Sequence, residues 1–271
     1  MKTKNGLKKI GLIVGLLTVV IASNAQDRIF SYTYQSGVLN KGQREIEVWN
    51  TLLSGKTDYF ARLDNRTEYE VGLGKNLQTA FYLNLTSITE TNQDGSLKSL
   101  NTTHEISFSN EWKYKLLDPV ADPLGLAIYG EYEIGSTEYD LEGKIIIDKN
   151  IDRLTLAANA VYELEMTPGY KTTELVWEHE HKADLNAAAG YALNPHLNLT
   201  MESAFRNVFV EGELLHSALY AGLGLSYAQD NFFINFTVLP QLKSFKGQTN
   251  NTLNLNEFEK VQCRLLLSYA L

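Results

Sequence analysis

Charged residues recur at every second position in several stretches, a spacing that puts them on one face of an extended strand. Arg62, Asp64, Arg66, Glu68 and Glu70 make one such row, Glu111, Lys113 and Lys115 a second, and Glu174, Glu178, Glu180, Lys182 and Asp184 a third. Inside a closed sheet, mixed charges either line an aqueous path or pair across strands and fill the interior. The residues expected to line such a lumen are Arg62, Arg66, Glu68, Glu70, Glu111, Lys113, Lys115, Glu131, Glu133, Arg206 and Arg264.

Other chemistry is weaker. His179 and His181 share a strand face within reach of one metal ion, but Glu178 and Glu180 fall on the opposite face, so no third ligand is named and the pair reads as surface histidines near a loop. Ser54-Gly55-Lys56-Thr57 ends like a phosphate loop, yet Asn50 stands where its first glycine belongs. Gly72 to Leu77 begins like a dinucleotide fingerprint without its third glycine and reads as a hairpin turn. No cofactor, no metal and no catalytic set is expected. An esterase is carried as a separate class: His104, His179, His181, His196 and His216 offer bases, but no nucleophile elbow accompanies them.

Rows of this kind need strands, and period-two alternation runs along nearly the whole chain. At the C-terminus Val261, Cys263, Leu265, Leu267, Tyr269 and Leu271 share a face, with only Leu266 breaking the pattern on the other. Cutting at turn signals gives about twelve strands, near 43–54, 58–73, 77–90, 102–117, 125–137, 140–148, 152–165, 173–192, 197–209, 215–228, 231–240 and 258–271. An even count returns both ends to one side. Short connections around Lys75, Asn150, Pro195 and Asp230 alternate with a set that includes the polar stretches 91–101, 166–172 and 241–257, as periplasmic turns and outer loops do in membrane barrels. All five prolines fall in connections or at a strand end under this division.

Residues 1–25 read as a cleaved export signal: Lys2, Lys4, Lys8 and Lys9, an apolar run from Ile10 to Ile21, and small residues up to Ala25. The signal holds four of the 24 basic residues and none of the 32 acidic ones, so the mature chain carries 20 against 32, a charge of −12. That balance argues against nucleic-acid binding, which needs a basic excess. Cys263 is the single cysteine, so closure rests on backbone pairing rather than disulfides. A soluble periplasmic β-protein could also expose charged rows. Tyrosines and tryptophans near strand ends (Trp112, Tyr114, Tyr162, Tyr191, Tyr227, Tyr269) and alternation running to the last residue favour the membrane.

The stretches Lys41 to Trp49, Arg66 to Asn84 and Asp122 to Gly135 resemble a group of poorly characterised, porin-like outer-membrane proteins of Gram-negative bacteria. The final strand resembles their assembly signal, ending in Leu271 where phenylalanine is usual. The resemblance implies a barrel and passive transport without a named substrate. The expected organisation is a signal at 1–25, a periplasmic N-terminal segment at 26–41 and, over 42–271, an all-β, closed, antiparallel up-and-down transmembrane barrel of about 12 strands. Its expected partners are outer-membrane lipid and the barrel-assembly machinery. The expected function is porin-like passage of small polar solutes with a slight cation preference; the alternative is a non-conducting barrel that displays its loops. The residues leave open whether Gln26 to Asn40 adds a strand or enters the lumen.

Overall fold

The computed structural model describes residues 28–94, 97–249 and 252–271, so the expected signal at 1–25 lies outside the described residues. Twelve strands follow in order: β1 (Arg44–Ser54), β2 (Phe60–Gly74), β3 (Leu77–Asp94), β4 (Leu97–Leu117), β5 (Gly125–Gly135), β6 (Tyr139–Ile151), β7 (Leu154–Lys171), β8 (Glu174–Asn194), β9 (Leu197–Val210), β10 (Glu213–Gln229), β11 (Phe232–Lys246) and β12 (Val261–Ala270). Each pairs antiparallel with its chain neighbours, and β1 pairs with β12 from Glu45↔Ala270 to Ser54↔Val261, closing the barrel. The C-terminal alternation therefore belongs to the closing strand.

Side chains sort by parity. Phe81, Leu83 and Leu85 on β3, Ile145 and Ile147 on β6, and Leu223 and Leu225 on β10 are exposed on the outer wall, while Glu68, Glu111, Glu202 and Asn235 are fully buried inside. A water-soluble core has the opposite arrangement. Tyr114, Tyr191, Tyr227 and Tyr269 stand outward near the barrel end that carries the termini, and Tyr132, Tyr139 and Trp177 stand outward towards the other. At the termini end Lys75 and Asn76 have φ of 54° and 62°. Two successive positive φ values give the two-residue turn whose twist matches the flanking strands.

Two of the three polar stretches expected as outer loops, 91–101 and 166–172, are mostly strand, whereas 241–257 is strand only up to Lys246. β3 and β4 stay paired up to Asp94↔Leu97, and β7 and β8 up to Lys171↔Glu174. Over 91–101 and 166–171 polar residues, Pro168 and Gly169 interrupt the alternation although the backbone ladder continues. Pro168 lies within β7, opposite Trp177. It is tolerated there because the β6 ladder ends at Tyr139↔Met166, leaving β7 with one paired edge at that height. Pro240 lies within β11, where pairing to β10 skips from Val238 to Gln241.

The chain from Arg28 to Asn40, assigned above to a periplasmic segment, runs inside the barrel from the termini end and adds no strand. Phe30, Ser31, Thr33 and Ser36 are fully buried there. A turn in which Gln43 N–H donates to Asn40 O (3.0 Å) and Gly42 N–H to Gly72 O (2.8 Å) then leads into β1.

Candidate functional site

All eleven residues expected in the lumen occupy inward register positions. Their pairing makes acidic rows. Glu45↔Glu70 and Glu47↔Glu68 face each other across β1 and β2. Glu111↔Glu131, Glu131↔Glu142 and Glu142↔Glu163 continue the acidity from β4 to β7. Directly opposed like charges destabilise a sheet unless something compensates.

Several cations do so. Arg66 Nη2 lies 2.5 Å from Glu131 Oε1 and 3.6 Å from Glu133 Oε2. Lys144 sits 2.6 Å from Glu142, and Lys182 bridges Glu163 (2.8 Å) and Glu165 (2.7 Å). Arg206 pairs with Asp184, and Arg62 with Asp64 at 2.7 Å. The lumen wall is therefore largely an ion-pair network. Lys115 is spent near the rim on Asp118, 2.9 Å away.

Inside this wall sits the N-terminal segment, held mainly through its backbone. Glu202 on β9 accepts from the N–H groups of Ser31 (2.8 Å), Tyr32 (2.8 Å) and Thr33 (2.9 Å), and from the Thr237 hydroxyl (3.0 Å). Three successive amides turned onto one carboxylate form a concave anion site, here with the anion supplied by the wall. Asn159 pairs with Tyr34 in both directions, accepting from its N–H and donating to its carbonyl at 2.9 Å. Asp148 and Gln78 accept from the N–H groups of Ser36 (3.3 Å) and Leu39 (2.8 Å). The buried amides of an irregular segment need such partners.

Aromatic rings and cations complete the seat. The Arg28 guanidinium lies 4.0 Å from the Tyr34 ring centre and 4.1 Å from that of Trp49. Lys144 covers the Tyr34 ring at 4.1 Å, and Arg264 covers Tyr32 at 4.1 Å while donating to Ser31 O at 3.0 Å. Tyr34 belongs to a buried cluster with Trp49, Tyr129, Ile146, Phe233 and Leu266. Leu266, the one break in the C-terminal alternation, points inward to meet it.

The opposite end contributes a second inward element. Residues 252–260, between β11 and β12, fold down so that Tyr220 OH donates to Glu259 O (2.7 Å) and Gln241 holds Asn254 and Glu259. Phe258 packs against a buried cluster of Tyr32, Ala204, Ala218, Tyr220 and Leu239. The segment from one end and the loop from the other thus join one apolar cluster. This cluster and the Glu202 seat were missed in the sequence. Their visible signs are large apolar residues on the inward parity (Tyr220, Leu239) and a lone acid on β9.

His179 and His181 lie on the outward parity of β8, opposite Met166 and Leu164. His181 Nδ1 is bonded to the Tyr162 hydroxyl at 2.7 Å. Neither joins a group of ligands close enough to share an ion among the described residues.

No curated protein matches the chain. Among solved structures it is similar to the NanC porin, with a TM-score of 0.54 and 11% identity over 83% of this chain and 100% of that one. The KdgM porin gives 0.51 and 11%, covering 84% and 99%. The translocator domain of the autotransporter NalP from Neisseria meningitidis gives 0.51 and 11%, covering 86% and 90%. At such identities the likeness is one of fold. Residues 22–271 match the family described as "Family of unknown function (DUF6662)", and the chain belongs to that family.

Proposed function

We propose that the chain is a Gram-negative outer-membrane barrel held closed by its own N-terminal segment, and that small polar solutes pass only when that segment leaves the lumen. The observation that carries this reading is the grip of Glu202 on three consecutive backbone amides, in the middle of a segment with fully buried residues. The apolar outer belt and two aromatic levels support membrane placement with the termini periplasmic. The closing strand β12 is the element that would engage the assembly machinery. The reading assigns the protein no catalytic role.

Liposome swelling with the refolded mature chain tests it. Uncharged and cationic sugars of low mass should not enter through the wild-type barrel but should enter through a variant lacking residues 28–40. Rapid swelling with the wild type would overturn closure. Recovery of the native protein in the soluble periplasmic fraction would overturn the placement.

A second reading is an open, porin-like barrel with cation preference. Two of the structures it resembles are named porins, and the lumen rows are acidic. It requires wild-type conductance without any change in the seating of residues 28–40.

A further inference from the structure

Among the described residues the lumen holds two groups of three carboxylates whose ligand atoms lie within 4.8 Å of one another. In the first, Asp140, Glu163 and Glu165, the cation is already supplied: Lys182 Nζ sits 2.8 Å from Glu163 and 2.7 Å from Glu165. The second, Glu47, Glu68 and Glu70 on β1 and β2, has no such lysine among the described residues. Glu47 accepts from the Trp49 indole N–H (2.8 Å) and stands 4.0 Å from Arg28 Nη1, and Glu70 accepts from Gln78 Nε2 (2.8 Å). Glu68 differs from both. It is 1% exposed, both its oxygens are buried, and no donor from outside the trio reaches either one.

A buried carboxylate without a donor is among the costliest groups a fold can hold. The charge around it is also one-sided. Glu45, Glu47, Glu68 and Glu70 form two directly opposed pairs, with Glu111 beyond them turned to the Tyr82 hydroxyl. Arg28 and Lys113 are the cations lining the adjoining cavity of about 30 Å³, which Glu45, Glu47 and Glu70 also line. A cavity that size exceeds the roughly 10–15 Å³ that one water requires. Among the described residues, five carboxylates against two cations leave a deficit that one divalent ion largely offsets.

We propose that Glu47, Glu68 and Glu70 bind a divalent cation of the calcium class in the lumen wall beneath the N-terminal segment. All-carboxylate oxygen donors select a hard cation, and calcium ligands at about 2.3–2.6 Å from the ion can stand up to roughly 5 Å apart, which the trio satisfies. Magnesium gives up its waters reluctantly and is usually held by one or two carboxylates, so a set of three suits it less well. The site bridges β1 and β2 beside the closing seam, so its occupancy would stiffen the barrel whether or not the lumen conducts.

Calorimetric titration of the refolded, chelator-stripped mature chain with CaCl2 and MgCl2 tests this. One equivalent of calcium should bind saturably. Glu68→Gln should weaken binding at least tenfold, and Glu165→Gln, at the lysine-filled trio, should leave it unchanged. Calcium should also raise the temperature at which wild-type barrel loses its folded gel mobility, relative to chelator, a readout that needs no variant. Absence of saturable binding, equal binding by Glu68→Gln, or preference for magnesium would each overturn the proposal.

Discussion

Glu202 is the residue on which the seating of the N-terminal segment turns. A hydrogen bond to a charged acceptor contributes about 1.5–3 kcal/mol, and three of its four bonds reach successive backbone amides. Glu202→Ala should therefore unseat residues 31–33 while leaving the wall intact. With Ser36→Cys as a probe in a Cys263→Ser background, maleimide labelling of the folded barrel should speed up by at least tenfold. Unchanged labelling would mean that other contacts suffice. Asp118 makes a separate case at the rim: Lys115 and the N–H groups of Val120 and Ala121 hold its carboxyl down at about 2. A lowered folded pKa contributes stability above the ordinary value near 3.8 that is lost as pH falls through about 2. Asp118→Asn should accordingly lower the unfolding temperature at neutral pH and lose that effect near pH 2. Charged lumen residues were legible from parity alone. Their partners were not, because Arg28, Tyr32 and Tyr34 reach the wall from a segment without periodicity. Leu266 and Trp49 were the available hint, as large apolar side chains on a face otherwise reserved for polar ones.

Among elements, β2 and β3 show how the wall makes room inside and what it exposes outside. A Cβ at Gly72 would collide with the carbonyl oxygens of Leu39 and Asn40, which are backbone and cannot swing aside, whereas one at Gly130 meets nothing within 4 Å. Gly72→Ala should raise Ser36→Cys labelling severalfold, and Gly130→Ala should not. On the outer wall, Leu83 lies amid Phe81, Leu85 and Phe108. Leu83→Arg should cost about 2–4 kcal/mol of folding stability in bilayers, the expense of arginine near the midplane. A value near zero would contradict lipid contact there. Strand number, order and approximate limits were readable because one face of each strand sees an apolar surrounding and the other does not. The outer ends of β3, β4 and β7 were not, because polar residues, Pro168 and Gly169 interrupt the alternation there while the strands continue.

The whole molecule is a barrel with an apolar exterior, an ion-paired interior and an occupant entering from each end. Its acidic rows follow β1, β2 and β4 to β7, while β9 to β12 carry Glu202, Arg206 and Arg264. Composition pointed to acidity but not to an occupied lumen, since the occupant is thirteen irregular residues, 28–40, that carry no strand signal. The most direct test is single-channel recording in planar bilayers with the mature chain and with the variant lacking residues 28–40. The wild type should show no sustained openings at moderate voltage, and the shortened barrel should show steady, cation-preferring steps. Steady conductance by the wild type, equal to that of the shortened barrel, would contradict closure by the N-terminal segment.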